Sequence, residues 1–235
     1  MGDAIDPVGD FNAALAAQQR GDLRTAVRLY HAVLQRDPWH FEALNKLGVL
    51  LVQLERYEEA VAVLSRAVER RPSSADALNG LALALRMLDR HAEALVHAQR
   101  AVAIRPDYAE ALTNLGFAQL GLKRYDVALA SIERAIVLKP DFAMAYSDLG
   151  QTLQALGRLD EARAAFENAV ARAPRQPALY KLLGELKRYA ADDPQLAAME
   201  ELARDLDALS PQQRLVLLRS LARRQPPHAA AASLR

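Results

Sequence analysis

Cysteine is absent from the 235 residues, which excludes disulfides, thiolate metal sites and cysteine nucleophiles. Charge of one sign is not in excess either. Thirty Lys and Arg stand against 29 Asp and Glu, for a net charge of +1, so the strongly basic footprint of a nucleic-acid-binding domain is missing. Long apolar runs are lacking: Val49-Leu50-Leu51-Val52 falls far short of the roughly 20 residues that span a bilayer. The start, Met1-Gly2-Asp3-Ala4-Ile5-Asp6-Pro7, has neither the basic nor the apolar region of a signal peptide. Asp6 occupies the place where a myristoylation motif requires Ser or Thr. These absences lead to the expectation of a soluble cytoplasmic protein with no membrane and no nucleic-acid partner.

Motifs that carry chemistry are missing as well. No H-E-x-x-H pair, phosphate loop, dinucleotide fingerprint, EF-hand loop or nucleophile elbow is present. Glu58, Glu59, Glu93, Asp160 and Glu161 lie in polar turns and helix starts, where solvated surface charge accounts for them. No catalytic residue, metal ligand or cofactor is therefore expected, and the chain reads as a non-enzyme.

What is present is a period. Pro38, Pro72, Pro106, Pro140 and Pro174 follow one another at intervals of 34 residues. Gly48, Gly116, Gly150 and Gly184 keep the same interval, with Ala82 in the one gap, as do Ala60, Ala94, Ala128 and Ala162, and Ala67, Ala101, Ala135 and Ala169. A fixed period of this length is the mark of stacked repeats. Each period reads as two helices. Leu44, Leu47, Gly48 and Leu51 fall at i, i+3, i+4 and i+7, one helical face; Ala60, Leu64 and Ala67 form the facing stripe. Small residues on facing stripes let two helix backbones approach closely. Proline ends each second helix, because it lacks an N–H and crowds the preceding turn. Asp107 with Glu110, and more weakly Ser73 with Asp76, have the spacing of a capping box for the next helix. His31, His40, His91 and His97 fall at different places in this frame, so stacking does not gather them; His228 lies beyond it.

A large residue, then Leu-Gly, a second large residue, and Ala, large, Ala and Pro in a 34-residue frame resemble the tetratricopeptide repeat. The resemblance covers residues 7–176 as five repeats, and Tyr180, Leu183 and Gly184 begin a sixth. It departs from the pattern at Gln119 and at Ala98, small where the family has a large residue. The first repeat, with Asp10, Ala13, Ala14 and Ala17, has the relaxed sequence of a terminal cap. The resemblance implies an all-α fold: a right-handed α-α superhelix of helix-turn-helix repeats with C-terminal capping helices.

Residues 1–6 are expected to be a flexible segment. A sixth partial repeat with capping helices fills 177–209, including a helix over about 195–209 with Leu196, Met199, Leu202 and Leu206 on one side. Ser210-Pro211 supplies an N-cap and a first-turn proline for a terminal helix over 210–225 that carries Leu215, Leu218 and Leu221. A disordered tail follows over 226–235. After Asp207 there is no acid, while Arg214, Arg219, Arg223, Arg224 and Arg235 follow; this reads as a solvated terminus or as a nucleic-acid or membrane-surface contact. Gly184 to Tyr189, Asp192-Asp193-Pro194 and Ser210-Pro211 are similar to the junction of bacterial proteins in which such repeats precede a sulfotransferase domain. No phosphosulfate-binding loop follows within the 235 residues. That resemblance therefore implies the substrate-positioning half of a split or truncated transferase.

In the family the inner face of the superhelix is built from first helices. With each repeat numbered so that its proline is position 32, the inward positions are 2, 5, 9, 12 and 13. They are Glu42, Asn45, Val49, Val52 and Gln53 in the second repeat, and Asp76, Asn79, Leu83, Arg86 and Met87 in the third. Glu110, Thr113, Phe117, Leu120 and Gly121 follow in the fourth, and Met144, Ser147, Gln151, Gln154 and Ala155 in the fifth. Position 5 is a row of small hydrogen-bonding side chains suited to the backbone of an extended peptide. Beside it runs an apolar band, Val49, Val52, Leu83, Met87, Phe117 and Leu120, edged by Glu42, Asp76 and Glu110. Such a band marks an interaction site or packs between neighbouring first helices; the sequence leaves both open. The family's carboxylate clamp needs inward Lys, Asn and Arg, and Arg86 is the only inward basic residue in the second to fifth repeats. Its position-6 asparagine ladder is matched by Asn114 but not by Lys46, Gly80 or Asp148. The reading is an adaptor that holds a protein partner, a peptide or helix with apolar anchors and basic flanks. Self-association through the terminal helix is a further expectation.

Overall fold

A computed structural model describes residues 7–189 and 192–222; the expectations for 1–6 and 226–235, and for Arg223, Arg224 and Arg235, lie outside them. The described residues are all-helical, with no β-strand among them. The chain divides between Leu138 and Lys139 into two compact units.

In the first unit α1 (Pro7–Gln19) pairs with α2 (Leu23–Arg36), α3 (Phe41–Gln53) with α4 (Tyr57–Arg70), α5 (Ala75–Met87) with α6 (His91–Ile104), and α7 (Ala109–Gly121) with α8 (Tyr125–Leu138). Each second helix packs on the following first helix. First helices also touch one another, α3 on α5 and α5 on α7, with no comparable contact from α4 to α6 or from α6 to α8. The first helices thus line the inner side of this unit. Leu44, Leu47, Leu51, Leu64, Leu78 and Leu85 are buried in its core.

Local chemistry explains the boundaries. The residue before each proline is pushed out of helical geometry: Asp37, Arg71 and Arg105 have φ from −120 to −134° and ψ of 83–91°. Two turn residues after the proline are needed before a helix restarts, so the caps sit one place later than the capping-box spacing implies. Ser74, not Ser73, caps α5 by accepting from the Ala77 N–H at 3.2 Å. At α7 the N-cap is Tyr108, with no side-chain cap from Asp107. His40 Nδ1 fills the same role at α3.

The second unit contains α9 (Ala143–Ala155), α10 (Leu159–Arg172), α11 (Pro177–Leu186), α12 (Pro194–Leu202), a 3₁₀ segment (Ala203–Ala208) and α13 (Pro211–Leu221). The helix expected over 195–209 is interrupted. Asp205 leaves helical space (φ −123°, ψ 58°), which breaks the i to i−4 ladder and tightens the rest into 3₁₀ form. Leu196 and Met199 are buried, Leu202 and Leu206 only partly. α13 packs on α11 through Leu217 and Ser220, and so stands where a second helix of the sixth repeat belongs. It opens with a capping box between Ser210 and Gln213. Tyr180 and Tyr189 are fully buried and joined by a 2.9 Å bond from the Tyr189 hydroxyl to the Tyr180 carbonyl.

Candidate partner-binding face

The inner side of the first unit presents the apolar band on α3, α5 and α7. Val49 and Met87 are 47% and 45% exposed, while Val52, Leu83, Phe117 and Leu120 are half-buried. Their placement follows from the helix period: Leu44, Leu47 and Leu51 face the hairpin core, and the side of α3 that carries Val49 and Val52 is left over. Val49 leans towards α5, where a Cβ on Gly80 would lie 3.9 Å from Val49 Cγ2.

Phe117 is the best-held member. The Arg86 guanidinium lies 3.9 Å from its ring centroid, and the His91 ring packs 5.4 Å away at 59°. His91 in turn lies on Gly121, where any Cβ would meet its ring at 2.3 Å. Arg86 is only 8% exposed, so it serves to brace the aromatic rather than to offer an open charge.

The acidic edge is zwitterionic. Glu42 pairs with Arg71 at 2.8 Å and Asp76 with Arg105 at 3.1 Å. Each arginine also covers an aromatic ring, Arg71 over Phe41 at 4.0 Å and Arg105 over Tyr108 at 4.4 Å. Partial burial acts to raise the Glu42 carboxyl, but its own backbone N–H and Arg71 outweigh it and hold the group below its ordinary value. Burial, followed by the Asp76 carboxylate, pushes the Tyr108 hydroxyl up to about 12. Glu110 is half-buried and Gln53 exposed. Sequence reasoning missed the arginines, although Arg71 and Arg105 both precede the repeat's proline in repeats whose position 2 is acidic.

The position-5 residues divide. Thr113 is fully buried, and its hydroxyl donates to the Ala109 carbonyl of its own helix at 2.9 Å. Asn79 is 9% exposed; it accepts from Asn114 Nδ2 at 2.9 Å and donates to the Tyr108 hydroxyl at 3.2 Å, joining α5 to α7. Asn45 is half-buried, with Oδ1 lacking a hydrogen-bond partner among the described residues. In the second unit Ser147 is buried, and Gln151 and Gln154 are half-buried. Gln151 Nε2 donates to the Ser147 carbonyl at 3.4 Å.

Among the described residues no group of His, Asp or Glu is placed to hold a metal ion, and no helix is long and apolar enough to cross a membrane. Hairpins in 34-residue register, with an inner side made of first helices, define a helical-repeat protein. The family model for the tetratricopeptide repeat matches residues 11–75, 45–109, 113–177 and 147–213, and the chain belongs to that family. A crystal structure of MamA protein is similar at 29% identity with a TM-score of 0.60, covering 73% of this chain and 94% of that one. TTC0263, a thermophilic repeat protein from Thermus thermophilus (24%, TM-score 0.61, 77% and 98%), and YrrB, a repeat protein with an unusual peptide-binding site (23%, 0.60, 73% and 89%), share the fold. A comparison with curated proteins finds no match to the chain.

Proposed function

We propose that the chain is a non-enzymatic adaptor whose first unit holds a peptide or helix of a protein partner across α3, α5 and α7. The observation that carries this reading is the apolar band on the inner side, with Val49 and Met87 about half exposed. Apolar side chains left in water along three adjacent helices gain roughly 25 cal/mol for each Å² that a partner covers. Phe117, fixed between Arg86 and His91, offers a rigid anchor that loses little freedom on binding. The rim pairs Glu42 with Arg71 and Asp76 with Arg105 fit a ligand with mixed polar flanks rather than a uniformly basic one. Gln53, exposed on α3, is a polar side chain available to its backbone. A repeat protein of the same fold, YrrB, has a peptide-binding site, in keeping with this use of the scaffold. α12 and α13 pack on α11, in keeping with capping helices; the alternative, the substrate-positioning half of a split or truncated transferase, rests on the junction resemblance alone.

The test is a pull-down with wild type and the double variant Val49→Glu, Met87→Glu, after circular dichroism shows both folded. Both sites are surface positions, so stability is expected to change by less than about 1 kcal/mol. A protein captured by the wild type and lost by the variant, with its binding segment then titrated against both, supports the reading. Equal affinity of that segment for both proteins would remove the band from consideration.

A further inference from the structure

The outer side of the first unit carries a second surface, on helices that take no part in the face described above. Between α2 and α4 runs a groove of about 340 Å³, lined by His31, Leu34 and Gln35 of one helix and Val63 and Arg66 of the other. Leu34 and Val63 are 7% and 9% exposed and form an apolar floor. Trp39, the only tryptophan of the chain, stands beside the Arg66 wall and is 47% exposed. It is held in place: its backbone N–H donates to Asp37 Oδ1 at 3.0 Å, and the Arg66 guanidinium lies 5.7 Å from its ring centroid while donating to the Pro38 carbonyl. The other repeats have Ser73, Asp107, Asp141 and Arg175 at this place and no aromatic.

The walls are cationic. Arg24, Arg28, His31 and Gln35 fall at i, i+4, i+7 and i+11, one side of α2, and all four are exposed. The matching places on other second helices hold acids and no cation, as Glu58 and Glu69 on α4 or Asp126 and Glu133 on α8, or no charge, as on α6. On α4 the side that carries Val63 and Arg66 continues to exposed Arg70, while Glu58 and Glu69 hold the places that face the following repeat. Arg24, Arg28 and Arg70 form no ion pair among the described residues. The acids near them are engaged. Glu59 is held bidentately by Arg56 at 2.7 Å, and Asp22, in the field of Arg20 and Arg28, accepts from the Thr25 N–H at 3.1 Å.

We propose that this groove binds an acidic segment of a protein partner. An apolar residue of that segment enters over Leu34 and Val63 against Trp39, and its carboxylates pair with Arg28 and Arg24. At 1.5 Å per residue those arginines lie about 5 and 10 Å along α2 from His31, which sets the spacing of the carboxylates. Tryptophan and arginine beside a small pocket are the residue types that carry most binding energy in interfaces, and unpaired arginines select the partner by its charge. A nucleic acid fits less well, because the apolar floor offers nothing to a phosphate and the net charge of +1 is far from a basic footprint. The site is separate from the band on α3, α5 and α7 and does not rest on it.

The test reads the fluorescence of Trp39, which as the sole tryptophan reports this site alone. The probes are short synthetic peptides, each with one leucine and several glutamates at varied distance from it, together with their lysine counterparts. Acidic peptides are expected to shift the emission of the full chain to the blue in a saturable way that weakens as salt is added; the lysine set should leave it unchanged. Arg24→Glu with Arg28→Glu, both exposed sites, is checked by circular dichroism and should weaken binding more than about tenfold. Trp39→Ala, read by the anisotropy of a labelled acidic peptide, should lose as much. Val49→Glu with Met87→Glu on the inner side should bind as the wild type does.

No shift with any acidic peptide up to millimolar concentration overturns the proposal, as does equal binding of the lysine set. Full affinity in the α2 variant or in Trp39→Ala overturns it too. Loss of binding in the inner-side variant would move the peptide to the other face, with the same consequence. Oligothymidylate that shifts Trp39 where the peptides do not, and is lost with the α2 variant, would assign the groove to nucleic acid instead.

Discussion

Gly48 faces Leu64 so closely that an added Cβ would lie 2.3 Å from Leu64 Cγ, and the same pairing recurs as Gly116 with Ile132 at 2.4 Å and Gly150 with Phe166 at 2.5 Å. At the equivalent positions of the third repeat stand Ala82 and Ala98, both fully buried. These two departures from the repeat pattern explain each other. The methyl gained on one helix is matched by the bulk lost on the other, as close packing demands. Gly48→Ala alone should cost about 1–3 kcal/mol by overpacking, and Leu64→Ala about 2–5 kcal/mol by leaving a void. The double variant recreates the third repeat's pair and should cost clearly less than the two together. Urea unfolding of the four proteins measures this, and additivity to within about 0.5 kcal/mol would remove the pairing argument. His97 makes a second case at this scale. Burial, with Arg100 adding to it and Glu93 opposing, lowers its pKa below the ordinary 6.5, and its Nδ1 is buried without a hydrogen-bond partner among the described residues. The unfolded chain therefore takes up this proton at higher pH than the folded one. Its contribution is complete above about pH 6.5 and is lost as pH falls through the lower folded value. The melting temperature of the wild type should drop faster than that of His97→Leu between pH 7 and more acid buffers; parallel curves would exclude His97 as the cause.

At the scale of elements, the turns inside the hairpins share a backbone that their sequences do not. Gly21, Glu55, Asp89, Lys123 and Gly157 hold the same place in successive repeats, and all have φ between 54° and 79°. Glycine takes that conformation freely, while in other residues it costs about 1 kcal/mol or more. Bidentate pairs of Arg56 with Glu59, Arg90 with Glu93 and Arg158 with Glu161, at 2.6–2.7 Å, join the N-cap to the first turn of the helix after three of these turns, with glycine or without it. Between hairpins of the first unit the recurring device is an arginine on a second helix that donates to the prolyl carbonyl of the preceding repeat. Arg66 reaches Pro38, Arg100 reaches Pro72 at 3.0 Å and Arg134 reaches Pro106 at 2.6 Å. These carbonyls follow the end of a helix and have no helical donor. Arg100→Met keeps the apolar stem and removes the donor, so it should cost about 1 kcal/mol, or about 2–4 °C in melting temperature. Arg70→Met, at an exposed site, is the matched control and should stay within about 0.5 kcal/mol. Equal melting of the two variants would show that the carbonyl bond contributes nothing.

For the molecule as a whole, the period made the fold legible, because proline and the Gly, Ala and Leu positions carry it directly and each has one physical job. The face was legible only in part. A helical wheel separates the hairpin core from the other side of a first helix, but it does not tell solvent from the next repeat. Val49 and Met87 fell on the solvent side. Asn79 and Thr113, which share position 5 and look alike on the wheel, fell against neighbours. Asn79 is the telling case, since it accepts from Asn114 and donates to Tyr108 and so fastens the third repeat to the fourth. In a repeat array stability is a sum of repeat and nearest-neighbour contributions, so loss at one interface should stay local. Asn79→Ala leaves the Asn114 amide, 2% exposed, and the Tyr108 hydroxyl without this partner, at a cost of about 1–3 kcal/mol. The companion Asn79→Ala, Asn114→Leu removes both amide groups and should recover much of that loss. Hydrogen exchange read by mass spectrometry should show protection falling across α5 and α7 in the single variant while α1 and α2 keep theirs. Protection lost evenly over all eight helices of the first unit would mean that the unit unfolds as one block and that the Asn79 bridge has no local role.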